Sequence, residues 1–133
     1  MPLDIREKTI LAIDDEPGIL EGIKEFLEGE YYNVLTATSG PAGLQLLKTH
    51  KPHLILLDIM MPGMSGFQTL TELKKNPETA SIPVVMLTAR METGMIGEAK
   101  HLGAIDYIVK PFTPSDLIRW IKVYERYDPK KST

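Results

Sequence analysis

The sequence predicts an α/β fold: a doubly wound parallel sheet of five strands in the order 2-1-3-4-5. Three observations predict it. Short, uniformly apolar runs rich in β-branched residues recur five times, as suits strands covered on both faces. An amphipathic stretch at helical spacing follows each run. The 133 residues are about one ordinary domain, with no repeat, low-complexity tract or internal linker. Strands alternating with helices imply right-handed crossovers, and five such strands most often take the 2-1-3-4-5 order.

The first run is Thr9-Ile10-Leu11-Ala12-Ile13, followed by Leu20, Ile23 and Leu27 at helical spacing with Glu21, Lys24, Glu25 and Glu28 opposite. Val34-Leu35-Thr36-Ala37 precedes Ser39-Gly40-Pro41, which reads as a helix cap and early-turn proline ahead of Leu44 and Leu47. Leu54-Ile55-Leu56-Leu57 precedes a stripe of Phe67, Leu70 and Leu73, which Asn76-Pro77 ends. Val84-Val85-Met86-Leu87 precedes Met95, Ala99 and Leu102, with Gly103 placed to stop the helix. In that fourth helix Gly94 and Gly97 each cost about 1 kcal/mol relative to alanine, so it is expected to start late or fray. Tyr107-Ile108-Val109 precedes Leu117, Ile121 and Tyr124, with Pro114 near the helix start. Residues 1–127 are expected to form the domain, and 128–133 a tail or the start of a linker.

Composition narrows the function. A hydrophobic fraction of 43% and a charged fraction of 25% read as soluble and globular. No apolar run approaches the ~18 residues of a membrane helix, and the charged N-terminus lacks a signal-peptide core. With no cysteine, disulfide scaffolds, thiolate metal sites and cysteine catalysis are excluded, which fits a cytoplasmic protein. The net charge of −3 gives no support to a nucleic-acid surface. Residues 1–30 hold nine acids against three bases, while Arg119, Lys122, Arg126, Lys130 and Lys131 crowd the other end, where they read as a solvated face and tail.

Ligands of open α/β sheets bind beyond the carboxyl ends of the strands. There the sequence places Asp14-Asp15-Glu16, Asp58, Thr88-Ala89 and Lys110-Pro111. Taken singly, each suits a cap, a turn or a solvated loop. Together, on one rim, they form a specific chemical arrangement. Three neighbouring carboxylates raise one another's pKa. A divalent cation removes that conflict, and hard oxygen donors with free coordination positions suit Mg²⁺ (or Mn²⁺). Metal, lysine and hydroxyl together clamp a phosphoryl group, and an aspartate inside the clamp can attack phosphorus to become an aspartyl phosphate.

These residues resemble the receiver domain of bacterial two-component response regulators. The resemblance rests on Ile10-Leu11-Ala12-Ile13-Asp14-Asp15-Glu16-Pro17, Leu57-Asp58-Ile59-Met60-Met61-Pro62-Gly63-Met64-Ser65-Gly66, Leu87-Thr88-Ala89 and Lys110-Pro111-Phe112, in that order and spacing. It covers roughly residues 8–127 and implies the flavodoxin-like (βα)5 fold. It implies that Asp58 is the phospho-acceptor, taking its phosphoryl group from a histidine kinase or a phosphotransfer protein. Asp15, Asp58 and the Met60 carbonyl would bind Mg²⁺ directly, and Asp14 mainly through water. Lys110, Thr88 and the Ala89 backbone would contact the phosphoryl group. Tyr107 occupies the position of an aromatic switch, with a core tyrosine as the alternative. The bond before Pro111 is expected to be cis. Met60 and Arg90 stand where the family tunes dephosphorylation, and an apolar Met60 implies a long-lived phosphoryl group.

The resemblance further implies a switch in helix four, strand five and helix five that controls a downstream protein or output domain. The chain would be a monomer or a phosphorylation-dependent homodimer, with no direct contact to nucleic acid or membrane. It would be a stand-alone receiver or one cut from a longer regulator, and not a metabolic enzyme. Trp120 reads equally as a partner-surface residue and as helix-edge packing, and Met61, Met91 and Met95 as an adaptable surface or as core filler. Three alternatives remain: a degenerate receiver that only binds partners, an aspartyl-phosphate phosphatase and a flavin-binding protein. The adjacent Asp14-Asp15 pair and the missing cap insertion argue against the phosphatase. Acids where a flavin phosphate loop would lie argue against the flavin protein.

Overall fold

The structure is a computed structural model that describes residues 8–124. The predicted tail 128–133 and domain end at 127, with Arg126, Lys130 and Lys131, lie outside the described residues. Strands β1 (Thr9–Ile13), β2 (Asn33–Ala37), β3 (Leu54–Asp58), β4 (Val84–Ala89) and β5 (Asp106–Lys110) form one sheet in the order β2-β1-β3-β4-β5. Every pairing is parallel. Helices α1 (Pro17–Gly29), α2 (Gly40–Leu46), α3 (Gly66–Lys75), α4 (Ile96–His101) and α5 (Pro114–Tyr124) connect and follow the strands. This is the predicted doubly wound architecture. The three central strands are buried almost throughout, whereas β2 and β5 alternate with half-exposed positions. Their place at the sheet edges explains the weaker apolar runs there.

Alternation along the strands divides the core in two. Leu11, Ile13, Leu57 and Met86 pack with Leu70 and Leu73 of α3 and Ile96 and Ala99 of α4. Ile10, Ala12, Leu56 and Leu87 pack on the other face with Leu20, Ile23 and Leu27 of α1 and Leu117 and Ile121 of α5.

Helix boundaries follow local chemistry. Ser39 caps α2 by accepting from the Ala42 N–H at 3.2 Å. The predicted Leu44 and Leu47 stripe faces the core: Leu47, just past the helix end, is buried in it, and Leu44 packs against it. The helix ends at Leu46, Leu44 is half-buried, and Gly40 and Gly43 face the core. A Cβ at Gly43 would stand 2.4 Å from Ile13 Cδ1, so only glycine lets this helix lie so close to β1. Ser65 and Gln68 cap α3 reciprocally, at 3.2 and 2.9 Å. Thr113 and Asp116 do the same for α5.

Beyond β4 the chain first forms a 3₁₀ segment, Arg90–Met95, and becomes α-helical only at Ile96. Gly94 falls within that tighter segment. Gly103, at φ +115°, stops α4: its N–H bonds the Lys100 carbonyl, and the Ala104 N–H reaches back to Ala99.

Candidate functional site

The parallel sheet brings four strand ends to one rim, and the side chains there are mostly buried. Asp14 and Thr88 are 0% exposed, and Asp58 is 3% exposed. Asp14 follows β1. Its own N–H donates to the Ala37 carbonyl at 3.1 Å, and its Oδ1 accepts from the Glu16 N–H at 2.9 Å. Asp58 ends β3 opposite Leu87 of β4. Lys110 ends β5 opposite Ala89, and its ammonium lies 2.7 Å from Asp14 Oδ2 and 3.2 Å from Asp58 Oδ1. Glu16 stands farther out, 3.9 Å from the same nitrogen. The Thr88 hydroxyl donates to the Ala89 carbonyl at 3.1 Å.

Electrostatics set the protonation states. Burial, then the charge of Asp14, pushes the Asp58 carboxyl up to about 7, although Lys110 opposes this. Burial alone would lower Lys110. The close contact and charge of Asp14, with those of Asp58, outweigh it and hold the ammonium above its ordinary value.

The donor set fits a divalent cation. Asp14, Asp15 and Glu16 bring one carboxylate oxygen each within 4.8 Å of one another. The nearby Asp15 carboxyl also contributes to raising Asp58. Asp14 Oδ2 is buried without an aligned hydrogen bond, so the Lys110 charge is its partner. All of these donors are hard oxygens.

The structure therefore brings Asp14, Asp15, Asp58, Thr88 and Lys110 together. The Lys110–Pro111 peptide bond is cis. Met60 follows β3 and is 53% exposed, and Arg90 opens the 3₁₀ segment, also exposed. Tyr107 is half-buried on β5, packed against the α3–α4 layer, with the Lys100 ammonium 5.9 Å from its ring centre.

Two local features escape sequence reasoning. Gly66 lies against the end of β3: a Cβ there would stand 2.1 Å from the Asp58 carbonyl oxygen. Glu92, from the 3₁₀ segment, accepts from the Ala89 N–H at 2.9 Å. The glutamate three residues after Ala89 is a legible capping signal, but it marks a helix start rather than this rim.

A family model described as the response regulator receiver domain matches residues 10–122. The phosphate regulon transcriptional regulatory protein PhoB of Pseudomonas aeruginosa is 41% identical over 119 residues, which span 90% of this chain and 52% of PhoB. Protein PilH of the same organism is 38% identical over 113 residues, 84% of this chain and 93% of PilH. This chain thus spans about half of PhoB and nearly all of PilH. Among solved structures, the chemotaxis protein CheY4 of Vibrio cholerae matches with a TM-score of 0.84 at 28% identity, covering 88% of this chain and 98% of CheY4.

Proposed function

The chain belongs to the response regulator receiver family, and from that membership we propose that Asp58 accepts a phosphoryl group from the phosphohistidine of a histidine kinase or phosphotransfer protein. The observation that carries this reading is the convergence of Asp14, Asp58 and Lys110 within 3.2 Å contacts at the strand ends. A carboxylate oxygen of Asp58 attacks phosphorus. The P–N bond to the donor imidazole breaks, and the imidazole keeps the electron pair. Asp15, Asp58 and the Met60 carbonyl would hold Mg²⁺ (or Mn²⁺) directly and Asp14 mainly through water, and the ion would supply charge neutralisation between the anionic nucleophile and the phosphoryl group.

Lys110 turns from Asp58 Oδ1 to a phosphoryl oxygen. Thr88 turns its hydroxyl from the Ala89 carbonyl to the same group, and the Ala89 N–H donates to it. Phosphorylation replaces one negative charge by up to about two, and it shifts the fold only through these differential contacts. Tyr107 follows Thr88, and the surface of α4, β5 and α5 changes to control a partner or an output domain. The protein acts as a cytoplasmic switch, monomeric or dimerising on phosphorylation, and not as a metabolic enzyme. Met60, apolar two residues after the acceptor, hinders attacking water and lengthens the phosphoryl lifetime, and Arg90 stands at the second position that tunes dephosphorylation. Among the described residues no helix is long and apolar enough to cross a membrane.

Intact mass after incubation with acetyl phosphate and Mg²⁺ tests this reading. A gain of ~80 Da, absent in chelator and in Asp58→Asn, is the expected result. No gain in the wild type would point to a degenerate receiver. A gain that survives Asp58→Asn would displace the acceptor to another residue.

A further inference from the structure

The backbone amide that follows Thr88 already has an anionic partner. β3 and β4 run parallel, and the Ile59 N–H donates to the Leu87 carbonyl at 3.1 Å. Extended by one step, that ladder would have the Ala89 N–H donate to the Ile59 carbonyl. The Gly66 N–H takes that carbonyl instead, at 2.8 Å. The Ala89 N–H is thereby released from the sheet on its β3 side, where Asp58 precedes Ile59. A Glu92 carboxylate oxygen accepts it at 2.9 Å.

We infer that Glu92 is a built-in competitor of the phosphoryl group. Its carboxylate holds the Ala89 N–H in the unphosphorylated protein and gives it up when Asp58 is phosphorylated. This rests on the reading of Asp58 as acceptor. One N–H cannot serve two anionic oxygens equally well, and a carboxylate left beside a phosphoryl dianion is repelled. Glu92 is half-buried, and among the described residues no cation forms an ion pair with it. Two residues on, Gly94 has nothing within 4 Å of where a Cβ would be, so this turn has room to move.

The exchange moves no proton. The N–H···O bond to Glu92 breaks, a bond to a phosphoryl oxygen forms, and the carboxylate passes to water. Release of Glu92 also unties the start of the 3₁₀ segment from the end of β4. Phosphorylation at the rim thereby reaches the approach to α4 through one side chain. Glu92 is a positioning residue in this sense, acting through the Ala89 amide.

A purely structural cap makes a different forecast, because glutamine caps at this position as glutamate does. Phosphorylation by acetyl phosphate with Mg²⁺, timed by intact mass, separates the two in wild type, Glu92→Gln and Glu92→Ala. Loss of the charged competitor is expected to raise the phosphorylation rate constant roughly threefold to tenfold in Glu92→Gln and at least as much in Glu92→Ala. It is also expected to slow phosphoryl loss in both. In the wild type, the Glu92 side-chain carboxyl carbon should shift in the NMR spectrum on phosphorylation. Glu92→Gln preserves the cap, so it carries the test if Glu92→Ala is poorly folded. A wild-type rate in Glu92→Gln, or an unmoved Glu92 carboxyl resonance in phosphorylated protein, overturns the inference alone. A wild type that gains no phosphoryl mass overturns the acceptor reading, and the inference with it.

Discussion

Asp58 is held at about 7 chiefly by its burial, so without metal the folded protein keeps a proton that the unfolded chain has released. Its contribution to stability is therefore full below about 3.8, and it is lost as pH rises through about 7. In chelator, Asp58→Asn should stabilise the protein more at pH 8 than at pH 5, by ~2 kcal/mol, as read from urea midpoints at the two pH values. An equal effect at both pH values would contradict the raised carboxyl. Gly66→Ala should cost about 1–3 kcal/mol, since the new methyl meets the Asp58 backbone and not a yielding side chain. The same urea measurement decides it. Asp14, Asp15, Asp58, Thr88 and Lys110 are legible in the sequence because each ends or follows an apolar run and a parallel sheet gathers such ends. Gly66 and Glu92 are not legible as members of the rim, because each acts on a backbone group that only the folded chain brings near.

Among the elements, the approach to α4 holds the least regular structure. Its 3₁₀ segment has no fully buried residue, and Met91 is 93% exposed. Gly94→Ala meets no neighbour and should stabilise the segment by about 0.5–1 kcal/mol. Hydrogen exchange should then report slower exchange at the amides of residues 93–97 while those of α3 stay unchanged. Equal exchange in the two proteins would mean that glycine does not limit order there. The glycines expose this weakness to sequence reading. The close approach of α2 to β1 is less accessible to it: Leu44 and Leu47 mark the inner face, but the contact with Ile13 runs through Gly43, which carries no side chain. The edge strands are likewise shorter as apolar runs than as hydrogen-bonded strands: Asn33, Asp106 and Lys110 extend them by pairing, which composition does not reveal.

At the scale of the molecule, the two apolar layers share one sheet and should not unfold separately. Leu56 and Leu57 are neighbours in β3, both fully buried, yet they point into opposite layers. Leu56→Ala and Leu57→Ala should each lower stability by about 2–5 kcal/mol within a single cooperative urea transition. Two resolved transitions in either variant would show that the layers are independent units. The architecture is the most legible property of all, since alternation of strand and helix patterns with short connections leaves few other topologies.

The end of α5 supplies an optical handle on this cooperative unit. Trp120, the protein's one tryptophan, stacks on Tyr124 with ring centres 5.9 Å apart and planes within 7°. The Tyr124 hydroxyl donates in turn to Asp106 at the start of β5. Light absorbed by that tyrosine is thus passed to an indole whose emission responds to how α5 sits on the sheet. The chain carries its own fluorophore at the face where a change of state would surface, and its spectrum can be followed in real time without a label.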